Sequence, residues 1–226
     1  MGMLAAAALV WIGAHLGIAG TGIRRVIAGR IGEGAFRGVF SLVSFATIAW
    51  LIVSYRRADT TLLWAAPAWL RVCILAVMLV ACLLLVASVA APNPTAVGSE
   101  RALGREPRGI QRVTRHPMLW AFALWAGAHV LGNGDTASLL FFGAFLVTAL
   151  AGMPSIDAKV ARRDPPNWQV LAAGTSILPF GAIAAGRNRL VTGEIGWVVP
   201  VLGVVLWAAL FVLHPWLFGA SPLPGW

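Results

Sequence analysis

Six apolar runs alternate with short polar stretches rich in arginine, glycine and proline. They are about Met3–Ile18, Val39–Ser54, Ala68–Ala91, Pro117–Leu131, Ala137–Met153 and Trp197–Leu217. Most approach the roughly 17–25 residues that a helix needs to cross a bilayer. In lipid, backbone N–H and C=O groups must be paired within the segment, which a helix does and an isolated strand does not. The pattern therefore predicts an all-α fold, a polytopic transmembrane helical bundle of about six helices. We read it as a single integral membrane domain over residues 1–226. Asn133-Gly134-Asp135 is a strong turn signal, which predicts that the fourth and fifth runs form a tight helical hairpin. The fourth run has only 15 residues. It covers about 22 Å of a core roughly 30 Å thick, so local thinning, or burial of its ends by neighbours, is expected. The segment Ile177–Ala185 is apolar but too short to span, and Pro179 and Gly181 mark it as an interfacial or re-entrant piece. Arg163-Asp164-Pro165-Pro166-Asn167 reads as a loop.

Composition strengthens the membrane reading. The chain is 59% hydrophobic and 11% charged, whereas soluble domains carry about 25% charged residues. The net charge of +9 rests on 17 basic against 8 acidic residues, and Lys159 is the only lysine. The arginines flank apolar helices, so loops beside anionic lipid explain them better than nucleic acid does. Fourteen of the seventeen basic residues fall in three loops. These loops carry Arg24, Arg25, Arg30 and Arg37; Arg101, Arg105, Arg108, Arg112 and Arg115; and Lys159, Arg162, Arg163, Arg187 and Arg189. The excess of positive charge on cytoplasmic loops puts these inside and both termini outside, periplasmic for a bacterial inner (cytoplasmic) membrane. Arg56 and Arg57 run against that trend. The start, Met1-Gly2-Met3-Leu4, has no basic region before its apolar run, so it reads as an uncleaved first helix rather than a signal peptide.

Candidate chemistry is sparse. Cys73 and Cys82 share one apolar run without metal-ligand spacing and read as small buried hydrophobes. Most of the eleven tryptophans fall near predicted helix ends, as an interfacial belt does. Glu33 and Asp157 read as salt-bridge partners of nearby arginines. There is no HExxH, nucleophile elbow or phosphate-cradling loop.

What remains are four histidines, His15, His116, His129 and His214, each in or at the end of an apolar run. An ionisable group there is a functional-site hypothesis. The topology pairs His15 with His116 near the cytoplasmic side, and His129 with His214 near the outer side. His116 precedes Pro117. Proline suits the first helical position, and the residue before it is pushed out of the helical region. His116 therefore belongs at a helix start with its ring turned into the bundle. Pro215, after His214, instead stops or kinks its helix. Two facing imidazoles can ligate a haem iron, and Arg24, Arg25, Arg112 and Arg115 are natural partners for its propionates. No Cys-x-x-Cys-His is present, so such a haem would be non-covalent. His129 and His214 form a possible second metal site. The bland alternative for each histidine is an amphipathic group with its polar edge wet.

Several motifs together resemble the NnrU family, which is similar to plant and algal 15-cis-zeta-carotene isomerase. They are His15-x-Gly17-x-Ala19 with Arg24, and Gly32-Glu33-x-Ala35-Phe36-Arg37. The central match is Gly109-Ile110-x-Arg112-Val113-Thr114-Arg115-His116-Pro117, continuing to Trp125, His129 and Gly132-Asn133. Thr175-Ser176-x-x-Pro179-Phe180-x-Ala182-Ile183, Gly186-Arg187, His214-Pro215, Gly219-Ala220-Ser221 and Trp226 complete it. The resemblance spans nearly the whole chain. It implies a polytopic membrane protein binding haem b, with iron ligands mapping onto His15 and His116. The implied reaction is cis–trans isomerisation at the central double bond of a linear polyene, with the iron active when reduced. Bacterial members of the family are associated with denitrification and nitric oxide metabolism, so a small gaseous ligand is the other expectation. The chain lacks a histidine near Tyr55 and most of the isomerase pattern between Asp157 and Thr175. Arg115-His116-Pro117 also resembles the Arg-His-Pro motif of S-adenosylmethionine-dependent membrane methyltransferases. Their later Glu-x-x-Leu segment has no counterpart, since Lys159-Val160-Ala161-Arg162-Arg163 contains no Glu. A non-catalytic sensor or assembly factor is the third reading.

Overall fold

The structure is a computed structural model that describes residues 1–91 and 103–223. Arg101 and Trp226, used above, lie outside the described residues. The described residues form helices α1 (Gly2–Ile12), α2 (Ile23–Ile31), α3 (Glu33–Arg56), α4 (Ala68–Ala90) and α5 (Ile110–Val113). They continue with α6 (Pro117–Asn133), α7 (Thr136–Arg163), α8 (Pro165–Gly174), α9 (Gly181–Ala184) and α10 (Val198–Phe218). Among the described residues the only bridge-type pairing is between Leu62 and Asp135. The all-α expectation holds.

Among the described residues four helices are long and apolar enough to cross a membrane: α3, α4, α7 and α10. The N-terminal helix adds a fifth if it counts with α2 as one bent span. The expectation of six differs because α6 is only 17 residues long, about 25 Å at 1.5 Å per residue. The spans also face outwards with apolar side chains. Leu42 and Phe45 of α3, Val72 of α4, and Val205, Val212 and Trp216 of α10 are all exposed. Surfaces of this kind mark membrane contact, and the chain is a membrane protein.

The chain forms two compact units. The first comprises residues 1–67 and 126–155, the second residues 68–125 and 156–226. In the first unit α1 packs on α3. Leu4, Ala7, Ala8 and Trp11 are the buried residues of α1, spaced as one helical stripe. Its two alanines allow close approach of the helix axes. From α3 come Phe36, Thr47, Leu51 and Ser54. α1 does not simply end at Ile12. It widens into a π-helical turn over Gly13–Ile18, closed by the Ala19 N–H donating to the Ala14 carbonyl at 3.0 Å. The chain then bends by 75° into α2. Gly32, at φ 88°, makes the following turn into α3.

The predicted hairpin turn is also in the first unit. α6 ends at Asn133 and α7 starts at Thr136. Asp135 caps α7: its Oδ1 accepts from the Ser138 N–H at 2.9 Å and from the Thr60 hydroxyl at 2.6 Å. Its Oδ2 accepts from the Ser138 hydroxyl at 2.6 Å. The loop after α3 is stitched to this turn. The N–H groups of Leu63 and Trp64 donate to the Gly134 carbonyl at 2.7 and 3.0 Å. Burial pushes the Asp135 carboxyl up, but the bonds from Ser138 and Thr60 outweigh it and hold it below the ordinary value.

In the second unit α4 packs on α10. Gly203 lets the backbones meet, since a Cβ there would come 2.7 Å from the Leu83 side chain. The Trp207 indole N–H donates to the Leu75 carbonyl at 3.1 Å. Pro215 does not stop its helix, which runs on to Phe218 and ends at Gly219 with φ 70°. The stretch read as a loop is a helix start: Asp164 caps α8 through the Asn167 N–H, with Pro165 and Pro166 in the first turn. Proline is tolerated there because those N–H groups have no intrahelical acceptor. Leu103, Val160 and Leu171 form a small core beneath it. Ile177–Ala185 is a compact turn containing only the four-residue α9.

Two predictions follow from the Gly134–Asp135 turn. Gly134→Ala drives a Cβ into the Trp64 carbonyl at a backbone with φ 67°, so thermal unfolding in detergent shifts down by the equivalent of about 2 kcal/mol or more. Asp135 is lowered in the fold, so its stabilisation is present above the ordinary value of 3.8 and lost as pH falls below it. Melting temperature therefore drops on acidification through that range, and Asp135→Asn flattens the drop; an unchanged slope would contradict the capping role.

Candidate functional site

The second unit buries an arginine–aspartate–histidine cluster. Gly109, at φ 56°, starts the single turn α5, and Thr114 then turns the chain extended. The Thr114 hydroxyl donates to the Ile177 carbonyl at 2.8 Å, and the Arg115 N–H donates to the Ser176 carbonyl at 3.1 Å. His116 stands immediately before α6, and its carbonyl accepts the Trp120 N–H at 3.0 Å. This is the helix start expected from Pro117. His116 is 1% exposed.

Its ring meets Asp157 of α7. His116 Nε2 lies 2.8 Å from Asp157 Oδ1. The Arg115 guanidinium grips the same carboxylate, with Nε 2.9 Å and one terminal nitrogen 2.6 Å from Oδ2. The plane of Arg115 sits over the Trp168 ring at 5.2 Å, a cation–π contact that also shields the pair. A carboxylate held by a guanidinium is an acceptor only, so His116 donates from Nε2. In a neutral ring the lone pair is then on Nδ1.

The salt-bridge reading of Asp157 holds, but its bond to His116 was missed. The fifth apolar run was read as ending at Met153, whereas α7 runs on through Pro154 to Arg163. The usable signal was spacing. Ala149, Met153, Asp157 and Val160 are all buried and recur at helical intervals across the proline. Trp168 and Glu194 were missed because their partners are distant in sequence.

Arg112 makes a second clasp. It donates to Glu194 from Nε at 2.7 Å and from a terminal nitrogen at 2.9 Å, and to the Asn188 side-chain oxygen at 2.7 Å. The Gly109 N–H donates to Glu194 at 2.7 Å. The Arg112 hydrogen bonds and then the Gly109 N–H lower the Glu194 carboxyl to about 2. Arg187 donates to the carbonyls of Ala172, Ala173 and Thr175, closing the end of α8 where orphan carbonyls and the helix dipole attract a cation.

The first unit holds His15, on the π-helical turn. Such turns are rare and recur at functional sites. His15 Nδ1 lies 2.9 Å from the Trp11 carbonyl, and that oxygen can only accept. The neutral ring therefore carries its lone pair on Nε2. The ring stacks on Trp11 at 3.9 Å and meets Phe40 edge-on at 5.4 Å. Trp11 is 8% exposed, and its indole nitrogen has no hydrogen-bond partner among the described residues. Arg24 bonds Glu33 at 2.7 Å and lies over Phe36 at 5.4 Å, while Arg25 is exposed.

The remaining histidines are less committed. His129, in the first unit, stacks on Phe142 at 4.7 Å. His214, in the second, bonds the Ala220 carbonyl through Nδ1 at 2.7 Å. Among the described residues no three His, Cys, Asp or Glu side chains gather as a metal site. An iron held by two imidazoles would need no such group. His15 and His116 each have one ring nitrogen tied to an acceptor, leaving the other as a donor atom. That is the pattern in which metal-ligating histidines are held. His116, however, is fully buried with its Nε2 on Asp157 and keeps only Nδ1, the nitrogen beside its own backbone, so the residues as placed do not fit a haem iron at that ring.

The chain is 31% identical over 116 residues to "15-cis-zeta-carotene isomerase, chloroplastic" of Arabidopsis thaliana, covering 50% of this chain and 32% of that protein. It is 33% identical over 82 residues to the Zea mays protein of the same name, covering 36% of this chain and 22% of that one. The matches thus span a third or less of those relatives. No solved structure matches. The family profile described as "NnrU protein" matches residues 3–222, nearly the whole length, and the chain belongs to the NnrU family.

Proposed function

We propose that this protein is a haem b-binding membrane isomerase acting on a linear polyene of the 15-cis-zeta-carotene type. The observation that carries the reading is the 31% and 33% identity to carotene isomerases, with His116 the first candidate imidazole, which would have to leave its buried contact with Asp157 to meet an iron. His15, held through Nδ1, would supply the second imidazole. The similarity to carotene isomerases supplies the reaction class. Arg24, Arg25, Arg112 and Arg115 remain the candidate propionate partners. Arg24, Arg112 and Arg115 already hold carboxylates of the chain, so propionate binding at these would mean sharing or exchange.

When bound, a reduced haem would supply the iron chemistry that eases rotation about the central double bond. The chain's own residues have simpler tasks. Asp157 and Arg115 hold the His116 ring, and the Trp11 carbonyl holds the His15 ring. The buried Trp11 N–H is available to an acceptor on a bound group. Exposed apolar side chains along the spans keep water away and leave an approach for a lipid-soluble substrate. Isomerisation moves no atoms in or out, so no general acid or base is needed. A nitric-oxide-linked role would use the same two imidazoles. In a bacterial inner membrane the arginine-rich loops would face the cytoplasm and both termini the periplasm.

Oxidised and dithionite-reduced absorption spectra of detergent-purified protein, with a pyridine haemochrome assay, test the reading. We expect near one haem b per chain, sharp α and β bands on reduction, and polyene isomerisation only in the reduced state. His116→Ala and His15→Ala should each lose most of the haem. Unchanged haem content in both variants would refute the assignment.

A further inference from the structure

Among the described residues Phe180 is the one non-glycine residue with a positive φ, at φ 62° and ψ 0°. A side chain is strained in that region, and the strain persists only where the surroundings over-determine the backbone. Here they do. The Phe180 N–H donates to the Val113 carbonyl at 2.8 Å, and the Phe180 carbonyl accepts the Ala184 N–H at 2.8 Å. The Ser176 hydroxyl donates to the Leu178 carbonyl at 2.6 Å and accepts the Ala182 N–H at 2.9 Å. The Thr114 hydroxyl and the Trp120 indole both donate to the Ile177 carbonyl at 2.8 Å. Ala182 is fully buried beneath the turn. This fixed knob nevertheless holds out two large apolar side chains: Leu178 is 65% and Phe180 53% exposed.

Position and charge say what covers them. Glu194, just ahead of the span α10, accepts from the Gly109 N–H and from Arg112. These residues belong to the start and body of α5, and α9 packs on α5. The knob therefore stands level with one end of a membrane span. Trp120, which bonds it, lies in the first turn of α6. That helix has 17 residues and covers only about 25 Å of a core roughly 30 Å thick. Two exposed cations follow the knob, Arg187, which closes the end of α8, and Arg189. Apolar tips backed by arginines match the headgroup boundary of a bilayer, where aromatic and aliphatic groups enter the acyl region and arginines meet lipid phosphates.

We propose that residues 176–185 form an interfacial wedge. Leu178 and Phe180 enter the boundary of an anionic phospholipid leaflet, and Arg189 meets the phosphates. The wedge extends the apolar surface at the start of α6, where the helix alone is too short to meet the edge of the hydrocarbon core. The inference does not depend on a bound haem.

The test uses the full chain in phosphatidylcholine vesicles, with and without phosphatidylglycerol. A nitroxide is attached to Leu178→Cys in a Cys73→Ala, Cys82→Ala background. Its collisions with oxygen, which partitions into lipid, and with a water-soluble nickel chelate give its depth. With phosphatidylglycerol present we expect the label about 5–10 Å into the boundary. Phe180→Gly suits the positive φ and so keeps the fold, yet it should raise the nickel-to-oxygen ratio severalfold. Omitting phosphatidylglycerol should also raise the ratio. Arg189→Gln should remove most of that dependence, since one arginine at an anionic surface is worth about a fivefold preference. A label freely reached by nickel in the parent chain overturns the proposal. So does a label shielded from both colliders, as a second copy or another protein would shield it, or a ratio indifferent to Phe180→Gly. A ratio indifferent to phosphatidylglycerol overturns the anionic partner. Should labelled Leu178→Cys not accumulate, the same label at Phe180→Cys is read by the same criteria, with Leu178→Ala as the partner substitution. Haem content plays no part in the readout, so failure here and failure of the isomerase reading are separate results.

Discussion

A single carboxylate organises the second unit. Asp157 accepts from Arg115 and His116 at once, and both donors precede α6 by one or two residues. A carboxylate among apolar side chains is costly to leave unpaired. Removing one partner from such a pair typically costs about 3–5 kcal/mol. The constraint therefore runs in both directions. The extended turn at Thr114 must present Arg115 and His116 together, and α7 must continue past Pro154 far enough to bring Asp157 to them. Thr114, bonded to the Ile177 carbonyl, fixes that turn, and the Trp120 indole bonds the same oxygen.

The first unit solves a different problem with less charge. His15 sits where α1 loosens into a π-helical turn, and its ring is oriented by a backbone carbonyl one turn earlier. The widened turn exposes the histidine to the aromatic rings of Trp11 and Phe40 rather than to a charged partner. At the other end of α3, the Asp135 cap and the Gly134 carbonyl bind a loop that would otherwise leave backbone donors unpaired. Two histidines are thus each held through one ring nitrogen, one by a carboxylate and one by a carbonyl.

Membership of the NnrU family covers almost the full length, while the similarity to the plant isomerases covers a third or less of those proteins.

The helices and the hairpin turn could be read directly from the sequence. Apolar runs, Asn133-Gly134-Asp135 and the Pro117 start are local signals, with their physical cause within a few residues. The candidate histidines were legible for the same reason, since an imidazole in an apolar run is conspicuous. Other features were not. Pro165-Pro166 looked like a loop until the Asp164 cap was seen, and Pro215 looked like a helix end although it is accommodated inside its helix, as Pro154 is. A proline removes one hydrogen bond, and whether a helix tolerates that depends on what the next turn packs against. Which ring nitrogen of each histidine is tied to an acceptor was also invisible in the sequence. It is set by Asp157 forty-one residues from His116 and by the local winding at Trp11, and only the tertiary structure brings such acceptors into range.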